Sequence, residues 1–92
     1  MDETEIDMPE GFLATRAMVR KHLAGDYAEK MAELGTVVQR VSAQTGMCLL
    51  ATGNEIAKTA QACGEGYMAT LLLAATVELV SPTPADELRG AA

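Results

Sequence analysis

An uncharged stretch near the end of this sequence limits its possible folds more than any other feature. Residues 66–77 form a run of twelve residues without a charge. A helix that spans a membrane needs about 20 apolar residues, so the run predicts a helix buried inside a protein. Its apolar side chains, and those just after it, cover more than one helix face: Tyr67, Met68, Leu71, Leu72, Leu73, Val77, Leu79 and Val80. A helix that is apolar nearly all round is expected to be covered on every side.

A chain this small has few other residues that could cover such an apolar helix. The chain has 92 residues and is 49% hydrophobic, with a mean hydropathy of +0.10. One domain of this length buries only about 60–65% of the surface that its unfolded chain exposes. We therefore expect part of the apolar surface to contact another chain, and we predict a homodimer.

Hydrophobic spacing predicts an all-α fold. The apolar residues Tyr27, Met31, Leu34, Val38 and Val41 are separated by four, three, four and three residues, which is typical of helices that pack at a shallow angle. Two segments, 7–10 and 26–29, begin with Asp and have Glu three residues later, as in a helix capping box. Gly25 is suited to end the helix that precedes the second segment.

The turns allow two layouts. Gly53-Asn54 is the stronger local turn signal and gives a three-helix bundle with helices near 8–24, 27–51 and 55–80. A turn at Gly46 gives a long antiparallel helical hairpin instead, and either layout is expected to dimerise into a larger bundle. Gly64 and Gly66 lie within the last predicted helix, where the two glycines together cost about 2 kcal/mol of helix stability relative to alanine. A kink, or close packing that offsets this cost, is therefore expected there.

Residues 1–7 are predicted to be a disordered acidic tail, 8–80 the helical domain and 81–92 a flexible tail.

Small residues line one face of the third predicted helix. Gly53, Ala57, Ala60 and Gly64 are spaced four, three and four residues apart, so another helix can approach them closely. That helix belongs either to the same chain or to a partner. The predicted partner or dimer interface contains these four residues and the apolar residues that follow: Tyr67, Met68, Leu71, Leu72 and Val77.

Charge argues against a nucleic-acid partner. The net charge is -6, whereas phosphate binding requires a basic surface. Basic residues are concentrated in one short segment that contains Arg16, Arg20, Lys21 and His22. This segment is either a solvated helix face or a docking patch, formed by Arg16, Arg20 and Lys21, for an acidic protein.

No residue pattern predicts catalysis. His22 is the single histidine, and no metal-ligand spacing is present, so we expect no metal, no cofactor and no small-molecule substrate. Cys48 and Cys63 would lie about 22 Å apart on one continuous helix, which is too far for a disulfide. Their apolar neighbours predict buried free thiols.

Gln44-Thr45-Gly46 lies mid-chain, where the type VII-secreted helical-hairpin superfamily has its W-x-G turn, and residues 8–80 resemble that superfamily in outline. Gln44 replaces the Trp, and Leu71 stands where the Y-x-x-x-D/E secretion signal that begins at Tyr67 would have its acid. The resemblance implies a secreted, dimeric partner subunit. Residues 58–64 are similar to part of a bacterial quorum-sensing antiactivator, which is a small helical dimer.

The predicted function is non-enzymatic protein binding, as a homodimeric adaptor, chaperone or secreted partner subunit. The alternative is a small acidic inhibitor, of phage or antiactivator type, that blocks a larger protein machine. The acidic N-terminus differs from the basic start of a secretory signal peptide. We therefore expect a cytoplasmic bacterial protein, or one exported without such a signal.

Overall fold

Four α-helices make up most of the computed structural model, which describes residues 10–83. They are α1 (Glu10–Leu23), α2 (Tyr27–Thr45), α3 (Leu49–Ala62) and α4 (Gly66–Val80), with a 3-10 turn, Ala24–Asp26, between α1 and α2. The described residues contain no strand. The predicted all-α class is confirmed.

Helix α4 is the centre of the bundle, because it contacts each of the other three helices and packs most extensively on α3. One core cluster joins α4 to α1 and α2, and it consists of Val19, Tyr27, Met31, Leu71, Ala74 and Ala75. A second cluster joins α4 to α2 and α3 through Val38, Ala57, Ala69 and Leu72. The apolar helix predicted from the sequence is therefore covered largely by its own chain.

Helices α3 and α4 approach each other closely at Gly53. A Cβ atom placed on Gly53 would lie 1.9 Å from Oγ1 of Thr76, far inside van der Waals contact. Both Thr52 and Thr76 are fully buried in this region. The Thr52 hydroxyl donates to Cys48 O, just before α3, and the Thr76 hydroxyl donates to Leu72 O within α4, both at 2.8 Å. Glycine at position 53 thus permits a tight crossing beside two buried threonines, each of which is hydrogen-bonded to a carbonyl four residues earlier in its own segment.

The turn lies at Gly46 rather than in residues 51–54. Gly46 has φ +77° and ends α2 in the left-handed conformation, which glycine adopts without steric cost. Helix α3 continues through Gly53 and Asn54, so the favoured prediction of a break there was wrong. The predicted helix 55–80 is divided between α3 and α4, and Gly64 at φ +84° lies in the connection.

The junction between α1 and α2 also differs from the expected one. Ala24, rather than Gly25, has a positive φ, at 50°, and the Asp26 side chain makes no capping hydrogen bond to α2. A 3-10 turn occupies this junction, so the capping-box prediction at 26–29 was wrong. The predicted cap residue Asp7, the tail predicted for 1–7, and residues 84–92 of the tail predicted for 81–92 lie outside the described residues.

None of the helices in residues 10–83 combines the length and the apolarity needed to cross a membrane.

Candidate functional site

The predicted interface residues divide into a buried group and an exposed group. Leu71, Leu72 and Val77 are 3%, 7% and 0% exposed in the single chain. Leu71 and Leu72 belong to core clusters that join helices of the same chain. The assignment of the internal residues Leu72 and Val77 to an interface is therefore corrected, whereas Leu71 also lines a cleft. Gly53 and Ala57 are buried as well. At these two small residues, the approaching helix therefore belongs to the same chain rather than to a partner. Ala60 is half-buried beside the second core cluster, and Gly64 is exposed in the connection.

Of the exposed group, Tyr67 borders an open cleft between α1 and α4. Tyr67 is 59% exposed and Met68 is 40% exposed, while Met18 on α1 is 58% exposed. The cleft has a volume of about 250 Å³, and its lining residues are Met18, Val19, His22, Tyr67, Thr70 and Leu71. Val19 and Leu71 are buried, so they form an apolar floor, with Met18 and Tyr67 as the protruding walls. We call this feature the α1–α4 cleft.

Helical spacing places each wall. Met18 and His22 are four residues apart on α1, and Tyr67 and Leu71 are four apart on α4, so each pair lies on one helix face. The His22 and Tyr67 rings meet edge to face across the cleft, with centroids 5.9 Å apart and an interplanar angle of 78°. This contact joins the two walls at one side of the cleft.

The chemistry of the α1–α4 cleft suits binding. Among the described residues, those that line the cleft include no cysteine and no carboxylate, so His22 has neither a thiol nor an acid beside it there. Within residues 10–83, no three His, Cys, Asp or Glu side chains are arranged to hold a metal ion. The cleft offers an apolar floor, two adaptable walls and one imidazole.

The three basic residues of the predicted docking patch are not exposed together on one surface. Arg16 turns inward: its guanidinium donates to Ser81 O and forms an ion pair with Glu78 at 3.8 Å, and its side chain is only 19% exposed. Lys21 is exposed and Arg20 is half-buried. A shallow concavity of about 370 Å³ lies at these two residues, between Ala17 and Ala24. The assignment of Arg16 to a docking patch is corrected, because it fastens the end of α4 to α1.

Glu78 is the centre of that internal polar cluster. Tyr27 donates its hydroxyl to Oε2 of Glu78 at 2.5 Å, and the Thr83 N–H donates to Oε1 at 2.9 Å. The Thr83 hydroxyl also donates to Oε2. Burial, and then the hydrogen bond to Glu78, raise the pKa of Tyr27 well above its usual value. The phenol therefore remains a neutral donor over the physiological range.

The cysteines lie at opposite ends of α3. Cys48 immediately precedes the helix and Cys63 immediately follows it, and both thiols are free and exposed. The prediction of no disulfide between them agrees with this separation. The prediction that they are buried was wrong, because each thiol lies at a helix end, where fewer side chains surround it.

Sequence reasoning singled out Tyr67 and Leu71 but missed Met18, Val19 and Thr70, and it treated His22 only as part of a basic segment. The spacing of Met18 and His22 was a usable signal for one helix face. Which face of α1 meets α4 depends on the path of the chain through the turn at Gly46, and the local pattern did not determine that path.

Comparisons with protein-family models, with curated proteins and with solved structures found no match for this chain. The resemblances to the type VII-secreted superfamily and to the antiactivator therefore remain predictions based on the residues quoted for them.

Proposed function

We propose that this chain is a non-enzymatic protein-interaction module that binds another polypeptide through the α1–α4 cleft. The observation that carries the proposal is the pair Met18 and Tyr67, two large side chains that are both more than half exposed and flank an apolar floor. Apolar surface in a concave, continuous arrangement is typical of a contact site, whereas single exposed apolar residues are ordinary.

The size of the cleft favours the side chains of a partner as its occupants. Pockets for whole small ligands usually measure about 300–1,000 Å³, and this cleft is smaller, at about 250 Å³. Methionine adapts its shape to a partner, and tyrosine is enriched among the residues that contribute most to binding. One or two apolar anchors inserted between Met18 and Tyr67 would remove both side chains from water.

The proposal still includes a homodimer, but with an interface other than the one predicted from the sequence. Since Leu71, Leu72 and Val77 are covered within the chain, a second copy would have to use exposed residues such as Met18, Tyr67 and Met68. We propose a cytoplasmic location, with export without a secretory signal peptide as the alternative.

The second candidate is a small acidic inhibitor of a larger protein. It is favoured by the five acids and the absence of bases in residues 1–10. Deletion of residues 1–7 distinguishes the two candidates, because an inhibitor that acts through its acidic segment would lose its partner. A module that acts through the cleft would keep it.

Site-specific photo-crosslinking tests the proposal. A benzoylphenylalanine at position 67, in the chain expressed in its source cells, should give one discrete adduct after irradiation, identified by mass spectrometry. The matched control is position 37, because Val37 is also apolar and exposed, at 42%, but lies on α2. The adduct at position 67 should disappear in Met18→Asp. Equal adducts at both positions, or none at position 67, would refute cleft-mediated binding.

A further inference from the structure

The α1–α4 cleft adjoins a basic region. The last turn of α1 carries Arg20, Lys21 and His22, and His22 also lines the cleft. The shallow concavity at Arg20 and Lys21 lies along the same segment of α1. The chain as a whole has a net charge of -6, whereas the exposed Lys21 adds a positive charge next to His22, which lines the cleft.

We propose that the α1–α4 cleft binds an acidic amphipathic helix of another protein. Its apolar anchors insert between Met18 and Tyr67, and its carboxylates lie over the Lys21–His22 end of α1. This inference rests on the proposed function and specifies the partner at the same site.

A helix fits this site better than an extended segment. The cleft lies between two helices, and an amphipathic helix places anchors at i, i+3, i+4 and i+7 into such a groove. An extended peptide usually binds by adding a strand to a sheet edge, and residues 10–83 contain no strand.

Charge complementarity favours an acidic helix over a second copy of this chain. A second copy docked by the same face would bring its own Lys21 and His22 to the interface. Exposed ion pairs contribute little affinity individually, so the apolar anchors supply most of the binding and the basic turn supplies selectivity.

The test uses two 16-residue helical peptides with identical Leu and Phe anchors. One carries Glu, and the other Lys, at the positions beside the basic turn. Each is labelled and titrated with the full chain by fluorescence anisotropy. We expect the Glu peptide to bind about five-fold more tightly, since exchanging one like-charge contact with Lys21 for one exposed ion pair corresponds to a factor of this order. The net charge of -6 alone would favour the Lys peptide. Tighter binding of the Glu peptide would therefore indicate a local effect of the basic turn.

Charge reversal locates the preference. Lys21→Glu should abolish or invert it. Lys58→Glu is the matched control, because Lys58 is an exposed lysine on α3 whose side chain is 66% exposed, and it should leave the preference unchanged. Met18→Asp should weaken binding of both peptides at least ten-fold. Circular dichroism confirms that each variant is folded.

The outcomes separate this inference from the proposed function. Equal binding of both peptides, or tighter binding of the Lys peptide, overturns the acidic-helix inference. If Met18→Asp still weakens binding in that case, the cleft remains a binding site. A complex of two chains that Met18→Asp dissociates shows that a second copy occupies the cleft, and also overturns the inference. Failure of both peptides to bind, together with no adduct at position 67, refutes the proposed function as well.

Discussion

Glu78 on α4 connects three other parts of the described structure. It accepts hydrogen bonds from Tyr27 on α2 and from Thr83 beyond α4, and it pairs with Arg16 on α1. A carboxylate that is 14% exposed needs such partners, because an unpaired buried charge is strongly destabilising. Its role is therefore structural, and it holds the segment after α4 against α1.

Tyr27 gives this cluster a measurable pH dependence. Its raised pKa means that the folded chain retains the phenol proton more strongly than the unfolded chain, in which tyrosine titrates near pH 10. The resulting stabilisation is complete below about pH 10 and is lost as the pH rises further. Tyr27→Phe should cost about 1 kcal/mol at pH 7 and should flatten the decline of stability above pH 10.

Urea unfolding from pH 7 to 11 measures this difference. Tyr67→Phe is the control, because the Tyr67 ring is exposed, and it should follow the wild-type curve. Parallel curves for the wild type and Tyr27→Phe above pH 10 would show that the Tyr27 proton does not contribute.

The elements show which local signals were reliable. The 4-3-4-3 spacing from Tyr27 to Val41 predicted α2, and Tyr27, Met31 and Val38 are indeed buried. The turn signals were less decisive, because a glycine indicates either a turn or a close approach between helices. Gly46 serves the first purpose and Gly53 the second. The contact between Gly53 and Thr76, which are 23 positions apart in the sequence, decides this, and a local pattern does not contain it.

Gly53→Ala tests the close approach of α3 and α4. Alanine is favoured over glycine in a helix by about 1 kcal/mol, but its Cβ would collide with Thr76. We expect a net loss of about 1–3 kcal/mol, as for other overpacked cores. Gly66→Ala is the control, because its Cβ would meet open space, and it should be neutral or slightly stabilising. Urea unfolding measures both, and a more stable Gly53→Ala variant would contradict the tight crossing.

At the scale of the whole molecule, the other helices of the same chain cover most of α4. Ala69, Ala74 and Ala75 are almost completely buried, and alanine permits close helix packing, so three neighbours enclose α4 within a small chain. Fold class and α4 as the buried helix were predictable from the sequence. Of the predicted interface, Tyr67 and Met68 are exposed and Leu71 forms part of the cleft floor, while Leu72 and Val77 are internal. The pairing of α4 with α1 depends on chain topology, and so the cleft itself was not predictable.

Two aspartate substitutions separate the core from the binding surface. Leu72→Asp places an unpaired charge at a position that is 7% exposed, which costs several kcal/mol. We expect this variant to lose its cooperative unfolding transition. Met18→Asp changes a side chain that is 58% exposed, so its unfolding free energy should stay within about 0.5 kcal/mol of the wild type while its binding is lost. Circular dichroism during urea unfolding and light scattering give the stability and mass of each variant. A Leu72→Asp chain that remains folded but has half the wild-type mass would restore α4 as a contact between chains.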